Sequence, residues 1–118
     1  MDTEGETAVL LCEGEPSHAA RKAPLLARRD LDPDDDLATM SPREATPAQL
    51  AVARAALAAV PGEGGPLHYA RVDLVPGPDG APVVIELELT EPSLFLRFAP
   101  GSAARYAAAL ARRLPPAR

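Results

Sequence analysis

Tyr69-Ala70-Arg71-Val72-Asp73-Leu74-Val75, then Pro76-Gly77-Pro78-Asp79-Gly80-Ala81-Pro82, then Val83-Val84-Ile85-Glu86-Leu87-Glu88-Leu89, is the stretch whose reading decides the fold. Two runs rich in Val, Leu and Ile flank a segment of prolines and glycines that favours a turn, so 67–89 reads as a β-hairpin. Side chains alternate between the two faces of a strand. Tyr69, Arg71 and Asp73 therefore share one face, with Ala70, Val72 and Leu74 on the other. In the second strand Glu86 and Glu88 lie opposite Ile85, Leu87 and Leu89. If Asp73 pairs with Glu86, Arg71 falls opposite Glu88, because directly opposed residues of an antiparallel pair have numbers of constant sum. Three carboxylates and one arginine then share a patch.

Working outward, residues 7–22 read as another hairpin. An apolar run ends at Cys12, Glu13-Gly14-Glu15-Pro16 supplies turn chemistry, and a second strand resumes from Ser17 to Lys22. The stretch 23–45 holds Pro24, Pro33 and Pro42 and the acidic Asp30-Leu31-Asp32-Pro33-Asp34-Asp35-Asp36, and reads as a loop of the length used for lids and binding loops. Helix signals follow at 46–60: Thr46 to cap, Pro47 at the first helical position, Gln49 to complete a capping box, and Pro61-Gly62 to stop. Its apolar stripe is Leu50, Ala53, Leu57 and Val60. Downstream, Gly101-Ser102 leads into an alanine-rich helix over 103–114 that Pro115-Pro116 ends. The order strand-strand, loop, helix, strand-strand, helix predicts an α+β fold, an antiparallel sheet with helices packed on one face.

The chain has 118 residues, which predicts a single domain. Much of its 47% hydrophobic content is alanine, so the predicted core is thin. A net charge of −5, with no basic cluster among aromatics, argues against nucleic acid as a partner. Cys12 is the one cysteine, which excludes an internal disulfide and fits a reducing compartment. The residues before Thr7 lack a signal-peptide pattern, and no apolar run reaches the ~20 residues of a membrane span. A cytoplasmic protein without a membrane partner is the expectation.

The charged face admits two readings. A half-buried antiparallel sheet commonly turns a polar face to water and does nothing further. Yet Asp73 directly across from Glu86 would repel it by up to ~1 kcal/mol unless positive charge sits between them. Magnesium takes oxygen ligands, one or two carboxylates with phosphates and water, so Asp73, Glu86 and Glu88 beside Arg71 suit a metal–nucleotide site.

Ala70-Arg71-Val72-Asp73, a turn, then Ile85-Glu86-Leu87-Glu88 resembles, in order and spacing, the closing signature of ATP-grasp ligases such as the D-alanine–D-alanine ligases. Gly14-Glu15-Pro16-Ser17-His18-Ala19-Ala20-Arg21-Lys22 and Glu91-Pro92-Ser93-Leu94-Phe95-Leu96 resemble a bacterial subgroup close to cycloserine synthetase and the ribosomal-protein glutamate ligases. The resemblance spans roughly residues 7–114 and implies the C-terminal subdomain of an ATP-grasp fold. It implies ATP and two magnesium ions, or manganese in their place, as cofactors. Asp73, Glu86 and Glu88 would be the metal ligands, with Glu88 standing where many members have Asn. Arg71 would contact the phosphoryl group in transfer and is the catalytic candidate. Arg21 and Lys22 would lie near the nucleotide, and Ser93 could offer a hydroxyl to the substrate. His18 reads as a structural or exposed strand residue.

The implied activity is that of a carboxylate–amine ligase, in which ATP converts a carboxylate to an acyl phosphate that an amine attacks. The lysines and hinge strand that would hold adenine and the inner phosphates are not in this sequence, so an N-terminal ATP-grasp segment, in cis or in trans, is an expected partner. The acidic run from Asp30 to Asp36 also departs from the subgroup. The alternative reading is a non-catalytic remnant or split-protein subunit acting as a binding or assembly module.

Overall fold

A computed structural model describes residues 4–23, 40–62, 67–90 and 93–114. The expected loop at 24–39, with its acidic run, and Glu91-Pro92 lie outside the described residues. The elements in order are β1 (Glu6–Cys12), β2 (Glu15–Lys22), β3 (Met40–Arg43), α1 (Pro47–Ala58), β4 (Tyr69–Pro76), β5 (Pro82–Glu88), a short 3-10 turn (Leu96–Phe98) and α2 (Ser102–Arg113). The five strands form one antiparallel sheet in the order β3-β2-β1-β4-β5. The fold is the α+β class that the sequence predicts.

Both expected hairpins form. Between β1 and β2 the turn residues Glu13 and Gly14 both have positive φ, 53° and 82°, which matches the twist of a two-residue hairpin. Between β4 and β5, Gly77 N–H donates to the Ala81 carbonyl at 2.7 Å and Gly80 adopts φ 86°. Thr46 caps α1 as expected. Its hydroxyl accepts from Gln49 N–H at 3.1 Å while Gln49 Oε1 accepts from Thr46 N–H at 2.9 Å, satisfying two orphan donors of the first turn.

The core lies between α1 and one sheet face. Val9, Leu11, Ala70, Val72 and Leu74 from the two central strands meet Ala53, with Leu50, Ala56 and Leu57 of α1 and Leu87 of β5 packed around them. Each fully buried Val or Leu here contributes ~1.5–3 kcal/mol. The C-terminal helix α2 meets the sheet elsewhere, at the Cys12 end of β1. There the buried Tyr106 hydroxyl donates to the Leu11 carbonyl at 2.8 Å, and its ring lies edge-on to His18 and His68. Among the described residues no helix is long and apolar enough to cross a membrane.

Two local expectations change. The end of the expected 23–45 loop is a strand: β3 pairs with β2 despite Pro42, because it is an edge strand where a missing N–H can face outward. In β5 the constant sum holds at Arg71–Glu88 and Asp73–Glu86 but shifts beyond them, where Leu74 pairs with Val84. Ile85, expected on the apolar face, is the extra residue of a β-bulge and is half exposed.

Candidate functional site

The sheet face away from α1 carries the charged residues. β4 is flanked on both sides, so Asp73 and Arg71 sit at the sheet's middle, 1% and 6% exposed. Their partners on β1 are Ala8 and Leu10, and on β5 Glu86 and Glu88. Arg71 forks onto Asp73, with Nε donating to Oδ1 at 3.0 Å and Nη2 to Oδ2 at 3.1 Å. Nη2 also lies 3.2 Å from Glu88 and 3.7 Å from Glu86.

Lys22 completes the group. On β2 it stands opposite Glu6, and Ala8 faces both Ala20 and Asp73. These alanines leave a gap in front of β1, which the lysine stem spans to place Nζ 2.9 Å from Asp73 Oδ2 and 3.9 Å from Glu6. Asp73 is thus a fully buried carboxylate satisfied by two cations, the condition for its burial to be tolerated.

Glu86 and Glu88 are more open, at 50% and 29% exposed. The Glu86 carboxyl is pushed above the usual range, first by the hydrogen bond it shares with Glu88, then by desolvation and by the negative charge of Glu88 and Asp73, against the pull of Arg71. Carboxylates this close repel one another, and a positive charge between them relieves that repulsion. Among the described residues no three acidic, His or Cys side chains converge on a single point. The positive charge expected between Asp73 and Glu86 is here the guanidinium of Arg71.

The segment after β5 lies over these cations. Arg71 Nη1 donates to the Ser93 carbonyl at 3.3 Å, and His18 Nε2 donates to the Leu94 carbonyl at 2.7 Å. The Phe95 ring faces both Arg71, with Cζ 5.2 Å from its centroid, and Lys22, with Nζ at 5.8 Å. His18 is structural: burial lowers its pKa, and the neutral ring can donate through Nε2 while Nδ1 accepts from the Ser17 hydroxyl at 3.0 Å.

Of the residues singled out in the sequence, the structure gathers Arg71, Asp73, Glu86, Glu88 and Lys22. Ser93 joins through its carbonyl. Arg21 does not join: it pairs with Thr7, whose side chain faces α1, and Arg21 Nε donates to the Glu4 carbonyl at 3.0 Å. Alternation along β2 separates the two neighbours and was the signal available to tell them apart. Glu6 and Phe95 carried no role in the sequence reading. A separate cleft of about 310 Å³ at the tip of the first hairpin is lined by Cys12, Ser17, Arg105 and Arg112 among others, and by none of the charged-face residues.

No family model matches the chain. It is 44% identical over 119 residues to the cycloserine biosynthesis protein DcsG of Streptomyces lavendulae, a match that takes in 98% of this chain and 40% of that protein. It superposes on the crystal structure of D-cycloserine synthetase DcsG with a TM-score of 0.84 at 44% identity, covering 97% of this chain and 39% of that one. The chain thus spans well under half the length of the curated relative it matches. Shared sequence and shared fold along nearly all of its length place this chain in the ATP-grasp ligase superfamily that its motifs resemble, as a C-terminal part of that fold.

Proposed function

We propose that the chain supplies the metal- and phosphate-facing part of an ATP-dependent ligase that joins a carboxylate to an amine. The observation that carries this reading is the charge imbalance on the Arg71 face. Among the described residues Asp73, Glu86 and Glu88 stand beside two cations, Arg71 and Lys22, which leaves one negative charge in excess when all are ionised. Water alone does not call for such an excess beside a buried carboxylate, whereas a divalent cation offsets it. The donor set fits magnesium, which takes carboxylate oxygens and keeps places for phosphate and water.

Asp73, Glu86 and Glu88 would hold the metal, as two ions in the family pattern, with manganese as a substitute. Bound there, magnesium would screen the phosphate charge of ATP. Arg71 would turn its guanidinium from the carboxylates toward the γ-phosphoryl group and offset charge as it moves to the substrate carboxylate. Lys22 holds Asp73 in place and adds positive charge for the phosphates. Ser93, exposed beside Arg71, would offer its hydroxyl to the substrate. The acyl phosphate formed with release of ADP would then be attacked by an amine, which expels phosphate and leaves an amide. The remaining ATP contacts would come from the part of the ligase that this chain does not span, in a cytoplasmic setting.

The non-catalytic reading rests on a specific observation: Arg71 already pairs with Asp73 and Glu88 and neutralises part of the carboxylate group. A chimera separates the two. This chain replaces the aligned segment of D-cycloserine synthetase. The ligase reading expects ATP-dependent formation of D-cycloserine that Arg71→Ala slows strongly. A chimera that folds and melts like its parent but forms no product would favour the binding module.

A further inference from the structure

The segment from Ser93 to Phe98 contains a backbone outlier that the fold alone does not need. Phe95 has φ 49° and ψ 40°, a left-handed conformation that a bulky residue adopts at an energetic cost. Such a conformation persists only where its surroundings fix it, and here they do. His18 holds the carbonyl just before it, Arg71 the carbonyl of Ser93, and the Ser102 hydroxyl donates to the Leu96 carbonyl at 2.9 Å. Phe98 supports the ring from the side, with centroids 6.4 Å apart. The result aims the Phe95 ring at the two cations of the site.

We propose that Phe95 is a positioning residue of the charged face, whose ring holds Arg71 and Lys22 on the Asp73 side. The chemistry is that of an aromatic face and a cation: guanidinium and ammonium groups within about 6 Å of a ring centroid are drawn to its negative face. One ring serving two cations also prevents either from rotating into water, because both already pack against it. The role in metal binding rests on the function proposed above. The positioning itself does not.

The test uses the 118-residue chain with Phe95→Leu, which keeps an apolar side chain of similar reach but removes the π face, and Phe95→Tyr, which restores it. In the wild type, ring currents should shift the Arg71 Hδ and Lys22 Hε protons upfield, and the Arg71 Nε–H should exchange slowly with water. Phe95→Leu should abolish the shifts and speed that exchange about tenfold, while Phe95→Tyr restores both. Melting temperatures serve as the control for a merely structural role. If Phe95→Leu leaves both cations shifted and protected, or if Phe95→Tyr behaves like Phe95→Leu, the proposal is overturned. Manganese titration of the same variants separates it from the ligase reading. Weaker manganese binding in Phe95→Leu, rescued in Phe95→Tyr, supports both. Released cations in a chain whose wild type binds no manganese support the positioning role and remove the metal site.

Discussion

Arg71→Leu removes a guanidinium that is nearly out of solvent and leaves Asp73, 1% exposed, with Lys22 as its remaining cation. Breaking a buried ion pair by deleting one partner costs roughly 3–5 kcal/mol, because the other charge stays buried. Lys22 at 2.9 Å offsets part of that, which places the expected loss at the lower end, about 3 kcal/mol. With a urea slope of about 1.5 kcal/mol per molar for a chain this size, the unfolding midpoint should fall by about 2 M. Urea titration followed by circular dichroism reads this directly. Adding Asp73→Asn should recover about half of the loss, since a neutral amide no longer requires both cations. A midpoint drop below about 0.3 M, or losses that simply add in the double variant, would mean that Asp73 is hydrated and that the face is open rather than a preformed charge site.

Three further outcomes follow from the same structure. In the D-cycloserine synthetase chimera, Arg71→Ala should lower kcat by on the order of a hundredfold while KM for ATP changes little, whereas Glu86→Gln should raise the magnesium requirement; steady-state kinetics with varied magnesium separates the patterns, and an unchanged kcat in Arg71→Ala removes its assigned role. Arg113, then His68, holds the Glu13 carboxyl down to about 2, below its unfolded value, so its contribution is present above pH ~4.3 and lost as pH falls toward 2. Thermal melts between pH 5 and 2.5 should therefore fall more steeply in the wild type than in Glu13→Gln, and parallel curves would contradict the clamp. Thr46→Ala, which deletes the α1 capping box, should cost about 1 kcal/mol and lower Tm by about 4 °C, and an unmoved Tm would show that the first turn of α1 is held by packing instead.

What the sequence makes legible is what short-range rules govern. Proline and glycine mark both hairpin turns, Thr46 and Gln49 mark the start of α1, and alternation collects Arg71, Asp73, Glu86 and Glu88 on one face. The same rule separates the neighbours Lys22, on that face, and Arg21, on the other. The remainder depends on contacts distant in sequence. β3 is hidden because Pro42 argues against a strand until the strand is known to be at an edge. The bulge at Ile85 shifts only the turn end of the β4–β5 ladder, which no local pattern announces. The docking of Tyr106 against Leu11 and the aim of Phe95 at Arg71 and Lys22 join residues between 24 and 95 positions apart. The apolar run from Ser93 onward gives no sign of a left-handed backbone.

The central claim is that the carboxylates around Arg71 form a divalent-cation site, and paramagnetic mapping tests it most directly. Manganese titrated into the isotope-labelled chain broadens the amide signals nearest to where it binds, even when the affinity is weak. The account predicts that signals from Arg71 to Asp73 and from Glu86 to Glu88 broaden first, and that the Glu86→Gln, Glu88→Gln double variant loses the effect. Broadening confined to the acidic stretch from Asp30 to Asp36, with the Arg71 face unaffected, would contradict it.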